Sequence, residues 1–150
     1  MKKAFKWILI VLAAIVILPV LLYGIFRLAV PISRSDEGVR AYVLHQIPMG
    51  TGWDDAISVA EDKEWQIRET RTDRGLHINE EAGMARFASE EEMRNGPENE
   101  ENVRIVGEQA MFVHLGEYSE LFCVDVLAYL AFDENGELVE VAIKRYVDAL

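Results

Sequence analysis

The sequence predicts an α+β fold: an N-terminal transmembrane helix, then an α-hairpin packed on a three- to four-stranded antiparallel sheet. Three observations predict it. The first is an uncharged apolar run from Trp7 to Phe26, directly behind Lys2, Lys3 and Lys6. The second is a pair of short segments with apolar residues at three- and four-residue spacings, separated by Pro48-Met49-Gly50. The third is a closing stretch in which β-branched and aromatic runs alternate with Gly- and Asn-containing breaks.

The apolar run has the length of a membrane span. At about 1.5 Å of rise per residue it can cross a hydrocarbon core of roughly 30 Å. A secretory signal peptide needs a shorter apolar core and small residues before the cut. A cut after Ala29 brings in Arg27, and a cut after Gly24 brings in Leu22, where a small residue is required. No lipobox cysteine is present, because Cys123 is the only cysteine. Residues 1–32 therefore read as a lysine cluster and an uncleaved signal anchor that contacts the membrane through residues 7–26. Three lysines before the run, against Arg27 and Arg34 after it, put the N-terminus in the cytoplasm. The expected protein is a single-pass cell membrane protein whose remainder, 33–150, is extracytoplasmic. Pro19 is tolerable in such a helix and can kink it.

Charge separates the two parts. All 26 acidic residues and eleven of the 15 basic ones lie within 33–150, which leaves the domain a net charge of −15. A nucleic-acid binder needs cations to displace condensed counterions, so no nucleic-acid partner is expected. Anionic lipid surfaces should repel the domain as well. One cysteine excludes an intramolecular disulfide, so stability must come from the core. Cys123, within Leu121-Phe122-Cys123-Val124, reads most simply as a buried strand residue.

Pro31 to Ser35 is too short for a flexible tether, so the domain should ride close to the bilayer. Ser35 or Asp36 can cap the first helix, whose buried face takes Val39, Tyr42, Val43, Leu44 and Ile47. Pro48 ends it. Thr51 with Asp54 then forms a capping-box-like start, and Asp54 and Asp55 suit the positive end of a helix dipole. The second helix runs to about Asp62 and buries Trp53, Ile57, Val59 or Ala60 as its face allows. From Trp65 to Arg71 a weak alternation predicts an edge strand, with Leu76-His77-Ile78 as a short continuation. Residues 79–102 form a mobile acidic insertion, in which a helix over 80–94, stopped by Asn95-Gly96-Pro97, stands open against a solvated excursion.

Strands follow at Val103–Val106, Gln109–Leu115, Leu121–Phe132 and Leu138–Val147, broken by Gly107, by Gly116–Glu120 and by Asp133–Glu137. Asn135-Gly136 is a hairpin signal because both residues tolerate positive φ. One face of this sheet should carry charge, the other floor the helices.

Candidate sites are few. His45, His77 and His114 have no ligand spacing, so no metal or other cofactor is expected. Asp133–Glu137 lacks the calcium-loop pattern of about twelve residues. Ser58, Ser89 and Ser119 sit in no nucleophile elbow, and Gly50-Thr51-Gly52 lacks the lysine of a phosphate loop. No catalytic residues are expected and the chain does not read as an enzyme. Trp53, Trp65 and Tyr118 are the possible partner-binding residues, as rim aromatics that anchor proteins, with core packing as their plainer role.

The order helix, Pro-Met-Gly-Thr turn, helix, then antiparallel strands with Leu115-Gly116-Glu117-Tyr118 and the hairpin Phe132-Asp133-Glu134-Asn135-Gly136-Glu137-Leu138 resembles a small-domain superfamily. That superfamily includes the SmpA/BamE-like envelope lipoproteins and the β-lactamase inhibitor protein repeats. The resemblance covers about Asp36 to Val147, without 79–102, and is greater still to short membrane-anchored bacterial proteins with the same ending. It implies a non-catalytic protein-binding module in the cell envelope. The alternatives are an inhibitor- or immunity-like protein with an acidic surface, or a small hydrolase using carboxylates such as Asp125 and Glu140.

Overall fold

Lysine cluster and apolar run lie in one helix, α1, Lys2–Ala29, with Pro19 inside it. The structure, a computed structural model, describes residues 2–97, 102–119 and 123–148, with side chains for 13–26, 29–97, 102–119 and 123–147. Among the described residues no helix is long and apolar enough to cross a membrane. The large apolar side chains of α1 from Ile15 to Ile25 are 50% to 67% exposed.

The connector is docked rather than free. Pro31–Ser33 forms one 3₁₀ turn, and the buried Ser33 hydroxyl donates to the Val30 carbonyl at 2.8 Å. Ile32 packs against the main core, and the Arg145 guanidinium donates to the Arg34 carbonyl. Helix α2, Asp36–Gln46, starts at Ser35, whose hydroxyl accepts from the Gly38 N–H at 3.3 Å. Its buried face is Val39, Val43 and then Ile47, at the expected spacing.

The second helix, α3, Trp53–Asp62, departs from its expected start. Its N-cap is Gly52, without a side-chain cap, so the Thr51 to Asp54 box does not form. Backbone from the far end of the chain replaces it: Trp53 N donates to Gly136 O at 2.8 Å, Leu138 N to Thr51 O at 2.9 Å, and Gly50 N to Leu138 O at 2.8 Å. The turn between the helices is thereby stitched to the last hairpin.

Four strands form the main sheet: β1 Gln66–Arg71, β5 Gln109–Ser119, β6 Cys123–Phe132 and β7 Leu138–Asp148, antiparallel in the order β1-β5-β6-β7. The edge position of Gln66–Arg71 follows the expectation. Leu76–Asn79 does not continue it. It is β2, the centre of a second antiparallel sheet, flanked by β3, Met84–Phe87, and β4, Val103–Val106. A helix over 80–94 is also replaced: β3 occupies its middle, and only Glu90–Asn95, α4, is helical before Gly96 stops it at φ 78°. The acidic run Glu98–Glu101 lies outside the described residues, as does Glu120–Phe122.

The two sheets stack, and this overturns the expected charged face. Val126, Ala128, Leu130 and Phe132 point to the helices, with Val39, Val43, Ile47, Ala56, Ala60 and Trp65 above them. On the other face Tyr129, Ala131 and Ala110 pack against Leu76, Ile78 and Ala85 of the second sheet. Three layers result. Two bulges reset the alternation: one at His114/Gly116 lets β5 continue through the expected break, and one at Ala131/Phe132 puts Leu138 on the same side as Val141. In the hairpin only Gly136 has positive φ, 76°, while Asn135 stays at negative φ. Asp133 Oδ1 accepts from the N–H groups of Asn135 and Glu137, each at 2.9 Å, which closes the turn.

Gly107, between β4 and β5, has φ 73°, and a Cβ there would stand 2.5 Å from the Phe132 carbonyl oxygen. Gly83 shares the left-handed backbone at φ 59° but faces open space. Gly83→Ala should cost about 1–2 kcal/mol, the left-handed penalty alone. Gly107→Ala should cost a further ~1–3 kcal/mol from overpacking. Urea unfolding of the full chain, followed by tryptophan fluorescence, checks this; equal costs would contradict the close approach.

Candidate functional site

Among the described residues, four of the polar clusters tie separate elements together at the margins of the layers. The first centres on Glu140 of β7. Its Oε1 accepts from Arg40 Nη2 at 2.7 Å and from the Val141 N–H at 2.9 Å, and its Oε2 accepts from Arg104 Nη2 at 2.8 Å. Arg40 also donates through Nε to the Val141 carbonyl, and Arg104 through Nε to Glu80, both at 2.9 Å. Arg40 comes from α2 above the main sheet and Arg104 from β4 below it, so one carboxylate on the edge strand clamps all three layers. Burial works against its ionisation, but the two arginines and the backbone donor outweigh burial and hold Glu140 below its usual range.

The second place is a cleft of about 340 Å³ on the small sheet, lined among others by His77, Arg86, Ser89, Glu92 and Val103. His77 and Arg86 face each other across β2 and β3. Glu92 is brought over them by α4, because it is the third residue of a capping box with Ser89. Arg86 donates to both Glu92 oxygens, at 2.6 and 2.9 Å, and the Ser89 N–H donates to Oε2 at 2.7 Å. His77 Nδ1 lies 2.7 Å from Glu92 Oε1 and 2.9 Å from Arg86 Nη2. The Arg86 bonds foremost, against burial and helped by Ser89, keep Glu92 ionised far into acid. A carboxylate so fully engaged as an acceptor works as a clasp on α4, not as a proton acceptor.

His114 and Asp125 make the third pair, with Nε2 3.0 Å from Oδ1. Arg145 makes the fourth, donating through Nε to Asp36 Oδ1 and through Nη1 to the Tyr118 hydroxyl, both at 2.6 Å. Tyr129 sits deeper, where burial and the neighbouring Tyr146 push its phenol up to about 12. Among the described residues no group of three His, Cys, Asp or Glu side chains could hold a metal ion.

The residues singled out from the sequence fall apart in space or turn inward. Asp125 pairs with Tyr146, and Glu140 with Ala131, six residues further along β6. At roughly 3.3 Å per residue the two carboxylates are about 20 Å apart, too far to converge on one bond. Trp65 is 7% exposed and meets Tyr42 edge-on at 6.0 Å, while Trp53 meets Phe132 edge-on at 4.8 Å. Tyr118 is half-buried beside Arg145. Cys123, expected to be buried, is exposed: it opens β6 at the end of the sheet, and its Sγ is 3.6 Å from Glu117 Oε2. Asp133, expected only as a turn residue, spends its carboxylate on the N–H groups of Glu137 and Asn135, which lower its pKa. Sequence reading passed over the arginines. Arg104 within Val103-Arg104-Ile105-Val106 and Glu140 between two valines were the available signals, charges embedded in β-branched strands.

No protein-family model matches the chain, and comparison with characterised proteins and with solved structures also finds no match.

Because the folded pKa of Glu140 lies below its ordinary 4.5, its ionised form stabilises the fold above that pH and the contribution is lost as pH falls through the folded value. Glu140→Gln should lose about 1–3 kcal/mol near neutral pH. The gap to the native chain should narrow as the medium is acidified below the ordinary carboxylate range. Urea midpoints across the pH range read this, and a gap independent of pH would refute the clamp's ionic character.

Proposed function

We propose that this chain is a membrane-anchored, extracytoplasmic protein-binding module of the bacterial envelope, held by α1 as a single-pass signal anchor with its N-terminus in the cytoplasm. The observation that carries the reading is the apolar surface of α1. Ile15, Val16, Ile17, Leu18, Val20, Leu21, Leu22 and Ile25 cover every side of a helix that turns about 100° per residue, and all are more than half exposed. A helix apolar all round needs a hydrocarbon environment or other helices about it. Three lysines before it, against Arg27 and Arg34 after it, give the orientation.

Binding rather than catalysis fits the polar groups, which are consumed in ion pairs at the layer margins. Met49 and Val139, 47% and 39% exposed, flank the stitched junction of the helical turn and the last hairpin. This apolar spot lies at the far end of α2 from α1 and suits contact with an envelope protein. The helix pair followed by antiparallel strands is also what the SmpA/BamE-like resemblance calls for.

Membranes from cells expressing the full chain should retain it through alkaline carbonate, and a reporter fused after Leu150 should be active outside the cytoplasm only. Release by carbonate, or a reporter active only inside, would refute the placement. Partner recovery in detergent at two salt concentrations tests the binding role: salt-resistant recovery lost in Met49→Asp supports an apolar interface, and salt-sensitive recovery supports an inhibitor-like acidic surface instead.

A further inference from the structure

The geometry points to a second membrane contact, made by the domain itself. We propose that the end of the main sheet carrying Tyr118, Val124 and Val147 rests on the boundary between lipid headgroups and acyl chains, beside the exit of α1. This rests on α1 being the membrane anchor.

The direction of the strand carries the proposal. Along α2, Arg40 meets Glu140 and Val141, and Asp36, one turn nearer the connector, meets Arg145. Strand β7 therefore runs antiparallel to α2 and heads back towards α1. At Arg145 it has reached the level of the connector, since its guanidinium donates to the Arg34 carbonyl. The neighbouring strands agree. Arg145 pairs with Val126, and Val126 with Gly116, where a Cβ would stand 3.2 Å from Ile32 Cδ1. Whatever lies beyond this row lies towards the bilayer.

The next row on the same face is apolar. Tyr118 pairs with Val124 and Val124 with Val147, so the three side chains line up across β5, β6 and β7. Val147 is 57% exposed, unlike the buried Val126 one row back. On the opposite face of the same end Tyr146 is exposed, with Lys144 Nζ 4.7 Å from its ring centroid. An amphipathic ring with a lysine beside it is the composition of an interfacial anchor. Val147 lies two residues past the connector level, about 7 Å of strand, comparable to the headgroup layer outside the hydrocarbon. Charge does not favour an anionic surface here, since Asp36, Asp125 and Glu117 stand at this end, with Arg145, His114 and Cys123 as their neighbours. The contact is apolar and suits a zwitterionic leaflet.

The test uses the full chain with Cys123→Ser and one new cysteine, Val147→Cys or, at the other end of the same strand, Val139→Cys, each carrying an environment-sensitive fluorophore. Both are reconstituted in phosphatidylcholine vesicles with ordinary or brominated acyl chains. Vesicle flotation after a carbonate wash reads the anchor separately. In protein that floats, brominated lipid should quench the label at 147 by roughly twofold or more and leave the label at 139, about 26 Å away along the strand, unchanged. No quenching at 147, or equal quenching at both, overturns the proposal and leaves the anchor standing; failure to float overturns the anchor reading itself. Should the labelled Val147→Cys chain lose the parent's unfolding midpoint, Tyr146→Cys takes its place and must show the same contrast.

Discussion

The fold depends on the burial of strand β6 from both sides. From Val126 to Phe132 each residue is buried, with alternate side chains going to the helices and to the second sheet. Both halves of that burial are needed, because a chain with one cysteine cannot compensate an exposed apolar face by cross-linking. The other elements follow from this requirement. α2 and α3 close one side, β2 to β4 close the other, and β5 and β7 supply the hydrogen bonds along the flanks, with β1 beyond β5.

How much of this is legible in the chain depends on the range of the interaction. Helix α2 reads correctly because its signals are local: Ser35 as cap, the spacing of Val39, Val43 and Ile47, and Pro48 as stop. The start of α3 does not, because the Gly136 carbonyl, more than eighty positions away, accepts from the Trp53 N–H where a Thr51 cap was expected. The continuous apolar run of β6 carries a trace of its two-sided burial, but Asp125, Lys144 and Glu140 on neighbouring positions give the impression of a wet face. The acid-rich composition of 79–102 conceals β3 in the same way. Met84-Ala85-Arg86-Phe87 is a short strand whose buried member, Ala85, is too small to announce itself.

The site residues divide along the same line. Trp53 and Trp65 take the core packing that was their plainer role, Trp65 buried against Tyr42 and Trp53 half-buried against Phe132, each through an edge-on contact. The charged groups that matter structurally were hidden by ordinary surroundings. Arg40, Arg104 and Arg145 each join elements distant in the chain, and in each the planar guanidinium spans two acceptors at once, a geometry that lysine does not reproduce. Each makes at least one bond to a carboxylate on another layer, so the ties act across the fold.

The second sheet resembles an insertion that could be cut away, since it enters and leaves near Gly75 and Gly107 and, among the described residues, shares no strand pairing with the main sheet. Its removal would nevertheless strand Ala110, Phe112, Tyr129 and Ala131 in water. The length of this segment and the polarity of those four distant positions are therefore a single inherited trait: a shorter descendant must change them together or hide the bared face against a second molecule.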